Sequence, residues 1–538
     1  MSSQTFAGSG NVAQQSKLAV ELATAAIRAG DVVEAQRLLH ERLAKAPDDS
    51  NAVIKLAEIA IGLGKIEQGT ILLRRAVALN PTTERRLALI RHLSIHVGPM
   101  ATLAQIEEFP PEARKTFPIR ALEAAMFGLL GMTDRQLAIY EELIVENPED
   151  AKLWESYANT LKANGRIDEA VVALRRAIKV APASGEAYWT LADFKSFKFT
   201  DAEIRAMRKA LRTKLADGDA SHFHFALGKA LEDRKNYAQS FRHYWQGNEL
   251  RAKGLMPEQV GVTRYVDTAL EFFDPSYFKE REGSGHDARD PIFIVGMHRA
   301  GSTLIEQILA SHSQIEGTSE LYVIPQIWSR LEREAAAAGK DALDYFSRLP
   351  AHQLAALGAE YIERTRPFRI TGKPFFVDKL PSNWLHLWLI RLILPNARII
   401  DARRHPMACG FSNFKQLYAP GITFAYSLES IGTFYRDYWR FMTHMNRVQP
   451  GTIHRVLNEQ LIDDAESEVR RLLDYVGVPF EPDCLEFHKT RRVIQTPSAE
   501  QVRKGLSREG VDQWRNYEPW LEPLKDALGD ALDNWDKT

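Results

Sequence analysis

The apolar positions change period half-way along the chain, and the change predicts two kinds of architecture. Up to residue 253, apolar residues recur at the three-to-four spacing of amphipathic helices, in stretches ended by glycine or proline. Gly30 and Gly64, and again Gly131 and Gly165, lie 34 residues apart in the turns IRAGD, IGLGK, LGMTD and KANGR. Pro47 and Pro81, and again Pro148 and Pro182, keep the same step and close units such as LRRAVALNP and LRRAIKVAP. From Pro81 to Pro148 is 67 residues, which fits two units with one residue deleted and a degenerate unit between. Each unit reads as helix, turn, helix and stop. One such pair cannot bury its own apolar face, so neighbours must stack into an all-α solenoid, with about seven units between residues 16 and 253.

Further on the period shortens. Apolar runs at 292–295, 375–377, 398–402 and 453–457 alternate with helical stretches, which predicts a multidomain chain whose second half is a three-layer α/β fold with a mainly parallel sheet. The runs 292–295 and 398–402 should end near one another. REGSGHDARD, at 281–290, lacks hydrophobic periodicity and is the best boundary candidate. The expected layout is a flexible segment 1–15, a repeat array 16–253, a connecting helix and linker 254–290, and an α/β domain 291–538.

Composition narrows the classes. With 538 residues, 45% of them hydrophobic, and a net charge of -1, the chain has ample core and no general basic character for nucleic acid. An anionic ligand must therefore be held by local positive charge. The two cysteines, Cys409 and Cys484, are too few for a disulfide framework and read as buried thiols. MSSQTFAGSGNVAQQSK has no apolar stretch flanked by positive charge, and no run of about 18 to 20 apolar residues follows, so a cytoplasmic protein without a membrane span is expected.

PIFIVGMHRAGSTLIEQILASH places an apolar strand, a glycine loop and a helix in succession. Such a loop wraps an anion with backbone N–H groups at a helix N-terminus. Gly296 and Gly301 have the spacing of a nucleoside triphosphate loop, but Ser302 stands where that loop needs lysine, and the positive charge sits inside the loop at Arg299. Residues 397–418 read as a second strand running into a helix, with Arg404 at the strand end and Ser412 eight residues on.

Leu153–Pro182, with Trp154, Tyr157, Ala158, Gly165, Ala170 and Ala177 at its packing positions, resembles a tetratricopeptide repeat (TPR). HRAGST resembles the 5'-phosphosulfate loop of sulfotransferases, and Arg404 with Ser412 their 3'-phosphate motif. VDKLPSNW, RRLLDYVGVPFEPDCLEFH and RNYEPWL extend the likeness over residues 290–525, toward bacterial and tyrosylprotein-type members with fused repeats. The resemblance implies a P-loop-like sulfotransferase domain that uses 3'-phosphoadenosine 5'-phosphosulfate (PAPS) as co-substrate, without a required metal. It implies nucleotide contacts from Arg299, Ala300, Gly301, Ser302, Thr303, Leu304, Arg404 and Ser412. Among catalytic groups it implies Glu320 as base, with Lys379 and Arg299 stabilising the leaving oxygen; His298 is the rival base, and Asp378 would orient Lys379. Expected partners are a hydroxyl acceptor (peptide, saccharide or small molecule) and a protein or peptide docked on the repeats. Three departures stand out: Ala300 replaces a serine, Asn458 a tyrosine, and Glu509 and Gly510 replace serines of the C-terminal lid. A repeat scaffold with an inert nucleotide-binding domain, or a nucleotide kinase, are the alternative readings.

Overall fold

The computed structural model describes residues 5–537 apart from residues 195, 257–259, 420, 493, 495 and 497. The chain divides into two compact units, residues 1–146 and 147–538. Each contains helix pairs of the expected kind: four in the first, beginning with Thr5–Arg28 and Val32–Lys45, and three in the second, ending with Asp217–Glu232 and Tyr237–Ala252. The first helix runs through most of the segment 1–15 expected to be flexible, whose residues 1–4 lie outside the described residues.

The repeat period has a conformational cause. Gly30, Gly64, Gly131 and Gly165 all adopt left-handed φ, 82°, 76°, 70° and 78°, which favours glycine in the turns of these four pairs; in the last pair Lys235 takes the left-handed position at φ 58°. Asp49 accepts from the N–H groups of Asn51 and Ala52 at the start of Ser50–Gly62, and it pairs with buried Arg42 at 2.6 Å. The degenerate unit pairs Thr83–His96 with a shorter helix, Pro99–Glu107, and adds a single turn, Pro111–Arg114; the last two are each opened by a proline at the first turn.

In the second unit the pair Asp217–Glu232 and Tyr237–Ala252 packs closely because a Cβ at Gly228 would lie 2.6 Å from the Tyr244 ring. Helices Thr263–Phe272 and Pro275–Glu280 follow. The polar run 281–290 is pinned down: His286 N–H donates to Ile393 O at 2.8 Å, and a Cβ at Gly285 would strike Leu392 O. Lack of hydrophobic periodicity marked this run as a linker, yet residues 147–538 pack as one unit.

The sheet is entirely parallel, with strands β1 (Pro291–Gly296), β2 (Ile315–Gly317), β3 (Phe375–Lys379), β4 (Arg398–Arg403) and β5 (Ile453–Leu457) in the order β2-β3-β1-β4-β5. All four expected strands form; β2 has three residues, too few to show a period. Along β1 the side chains alternate between two cores. Phe293 and Val295 face an aromatic-rich core with Trp384, Trp388 and Tyr435, while Ile292 and Ile294 face an aliphatic core with Leu309, Ile400 and Leu472. That alternation makes the three layers. Gly296 pairs with Ala402, so β1 and β4 end side by side, where strand order reverses and such sheets place their ligands. Cys409 and Cys484 are free and buried, and no helix among the described residues is long and apolar enough to cross a membrane.

Candidate active site

The loop after β1 is built for close backbone approach. Gly296 has φ 140°, and a Cβ there would stand 2.3 Å from Ala402 O; Gly301 has φ 100°, and a Cβ there would stand 2.8 Å from Asn458 Oδ1. Between them Arg299 adopts φ 66°, a left-handed conformation that a long side chain rarely takes. Helix Ser302–Ala310 then starts without a side-chain cap; Leu304 N–H donates back to Gly301 O at 2.9 Å, and the N–H groups ahead of it at Ser302 and Thr303 face the loop. Ala300, Ser302 and Thr303 are buried, Thr303 Oγ1 lies 3.2 Å from Thr496 Oγ1, and Leu304 turns its side chain to Ile494 and Val502.

Arg299 and Arg404 come together. Arg299 donates from Nε to Ser412 Oγ at 3.2 Å and from Nη1 to Ser498 Oγ at 2.7 Å. Arg404 donates from Nη1 to Arg299 O at 3.1 Å and from Nη2 to Gly510 O, and its Nε is buried without a protein partner. Among the described residues both guanidiniums contact only hydroxyl and carbonyl oxygens, never a carboxylate. Burial, with the neighbouring Arg299 charge behind it, pulls the Arg404 pKa down against the opposing pull of Cys409 and Glu459. Both residues and Ser412 line a cavity of about 220 Å³. Gly510 allows the lid this close, since a Cβ there would stand 3.1 Å from Arg404 Nη2.

Lys379 and Glu320 form the second group, at the end of β3. Lys379 Nζ donates to Glu320 Oε1 at 2.5 Å; the lysine side chain is 1% exposed and the glutamate 33%. The loop that carries Glu320 lies along β3: Thr318 Oγ1 donates to Val377 O at 2.7 Å and Lys379 N–H to Ser319 O at 3.0 Å. Ser319, at φ 69°, is held by its N–H to Glu306 Oε1 at 3.0 Å. Glu306, buried on the loop helix, pairs in turn with Arg492 at 3.0 Å. Asp378 faces away from Lys379, as strand neighbours do, and accepts from Tyr361 OH at 2.9 Å; burial pushes its pKa up to about 8. It does not orient Lys379.

His298 lies between the groups. Its ring stands 5.7 Å from those of Tyr418 and Phe424, and burial, then the charges of Lys379 and Arg299, push its pKa down to about 4. The imidazole is neutral at physiological pH. Its backbone carbonyl accepts from Asn413 Nδ2 at 2.8 Å.

Residues 291–482 match the family model described as the sulfotransferase family, and residues 26–93 and 151–194 match tetratricopeptide repeat models. The chain joins tetratricopeptide repeats to a sulfotransferase-family domain. An uncharacterized protein of Aquifex aeolicus (strain VF5) is 29% identical over 396 residues, 72% of this chain and 51% of its own length. The chain thus spans about half the length of that curated relative. Among solved structures, the sulfotransferase domain from the Synechococcus PCC 7002 olefin synthase is 22% identical and covers 43% of this chain and 89% of its own, with a TM-score of 0.31. The sulfotransferase domain from the curacin biosynthetic pathway is 18% identical and covers 43% of this chain and 91% of its own, also at 0.31.

Two features of this sulfotransferase-family domain escape sequence reasoning. Glu306 and Arg492, which hold the Glu320 loop, lie 186 residues apart. The one available signal was a single glutamate inside the apolar run LIEQIL. Ser498 and Gln501, which bring the lid to the cavity, carry no signal of their own.

Proposed function

We propose that residues 147–538 transfer a sulfuryl group from PAPS to an acceptor hydroxyl. The observation that carries this reading is the pair of guanidiniums without carboxylate partners, set beside an uncapped helix start and the Lys379–Glu320 pair. Arg299, with the backbone of Ala300, Gly301, Ser302, Thr303 and Leu304, suits the 5'-phosphosulfate; Arg404 and Ser412 suit the 3'-phosphate. In the transfer, the acceptor oxygen bonds to sulfur, the bond from sulfur to the 5'-phosphate oxygen breaks, adenosine 3',5'-bisphosphate leaves, and the hydroxyl proton passes to Glu320. Lys379 and Arg299 supply positive charge to the departing oxygen, and Glu306 and Arg492 keep Glu320 in place. No step needs a metal. Ser302, where a triphosphate loop has lysine, disfavours a kinase.

A second assignment of the base has its own support, because His298 is neutral and close to Lys379. Glu320→Gln separates the two. It keeps the shape of the side chain and cannot take the proton, so turnover should fall at least about a hundredfold while nucleotide affinity and melting temperature hold. Turnover within a few-fold of wild type makes His298 the base. Normal nucleotide binding with no turnover on any acceptor favours the inert scaffold.

The acceptor class, a peptide tyrosine or a saccharide, and a peptide partner on repeats 16–253 belong to the same proposal, as does a cytoplasmic setting that keeps both thiols reduced. The linker 254–290 and domain 291–538 complete its layout.

A further inference from the structure

The cavity beside Arg404 is not enclosed by the sulfotransferase-family domain alone. One side comes from the last repeats: Trp189, Ala192, Lys229, Glu232 and Tyr244. These helices are fixed by buried polar contacts. The Glu232 carboxylate accepts from Lys415 Nζ at 2.9 Å, Gln513 Nε2 at 2.6 Å and Tyr517 OH at 3.1 Å, and Asn248 Nδ2 donates to Phe414 O at 2.8 Å. Phe241 stacks on Phe414 and on Trp520, with ring centroids 5.7 and 5.4 Å apart. A junction held by the buried Glu232–Lys415 pair and these aromatic stacks resists opening, so the repeat side chains form a wall of the cavity.

The cations of that wall differ. Lys415 is occupied by Glu232 and Gln513. Lys229 reaches only along its own helix, to Asp233 at 2.5 and 2.6 Å, and the two side chains are 12% and 21% exposed at the cavity. A phosphate dianion offers a lysine more charge than one carboxylate does, and Lys229 faces the same space as Arg404 and Ser412. Resting on the nucleotide reading above, we infer that Lys229, a residue of the repeat array, is a third cation of the nucleotide pocket and binds the 3'-phosphate together with Arg404.

Calorimetry of the full chain with adenosine 3',5'-bisphosphate and with adenosine 5'-monophosphate tests this. Lys229→Met should weaken the bisphosphate about tenfold and leave the monophosphate nearly unchanged, and Lys229→Arg should restore most of the loss. Asp233→Asn, which frees Lys229 from its carboxylate, should tighten the bisphosphate several-fold. If Lys229→Met or Asp233→Asn binds the bisphosphate as wild type does, while Arg404→Ala still loses about tenfold, Lys229 is only part of the wall and the nucleotide reading survives. Wild-type protein that binds both nucleotides equally overturns the nucleotide reading and this inference with it.

Discussion

Residues 5–79, two helix–turn–helix pairs, and residues 217–252, one such pair, repeat the same unit, yet their cores differ in kind. The first is closed by Ala35, Leu39, Ala52, Leu56 and Ile59, and it leaves Val33 and Ile71 exposed at 77% and 61%. The second sends Phe225, Phe241 and Tyr244 into the core that also holds Phe414 and Tyr517. A repeat period states only how one helix meets the next. Side chains off that packing stripe decide whether a repeat presents a surface or becomes the wall of a globular domain.

The buried ion pairs test this difference most severely. Glu232→Ala strands Lys415 in the interior, which should cost about 3–5 kcal/mol, and, because Lys415 lines the same cavity, should also change the affinity for adenosine 3',5'-bisphosphate. Asp49→Ala strands buried Arg42 at a similar cost, but nucleotide affinity should not change. Unfolding followed calorimetrically with and without the nucleotide distinguishes them, and equal effects on affinity would erase the contrast.

A smaller effect comes from pH. Glu155, 4% exposed on Ala151–Ala163, has its pKa pushed up to about 7 by burial and then by the Glu186 carboxylate. A carboxyl whose folded pKa is raised contributes fully below its ordinary value of 4.5, and the contribution is lost as pH rises toward 7. The second unit should therefore lose about 2–3 kcal/mol between those pH values, and Glu155→Gln should flatten that slope and be the more stable protein at pH 7. Denaturant titrations at several pH values read the slope directly. Least of all, Val33→Thr and Ile71→Thr should stay within about 0.5 kcal/mol of wild type by melting, as exposed positions do.

Much of this molecule was legible in its sequence, for identifiable reasons. The 34-residue step is visible because four of the turns use the same left-handed glycine, and the strands show because both of their faces are buried. Arg299, Arg404 and Ser412 are expected near one another because each lies in the loop or helix that follows a strand, and they do line one cavity. What stayed hidden depends on contacts across long stretches of chain: Glu306 with Arg492, Lys229 at the cavity, and Gly510 against Arg404. The polar run 281–290 shows the converse, since a stretch without hydrophobic period can still be held through its backbone.

The Glu232 carboxylate, shared among side chains of two other segments, also bears on how such a chain can change by recombination. Its partners at Lys415, Gln513 and Tyr517 would all have to be inherited together with the helix that carries it. Repeats after residue 147 are therefore not interchangeable cassettes: a foreign unit spliced in there would bring its own side chains to a polar junction that accepts one arrangement.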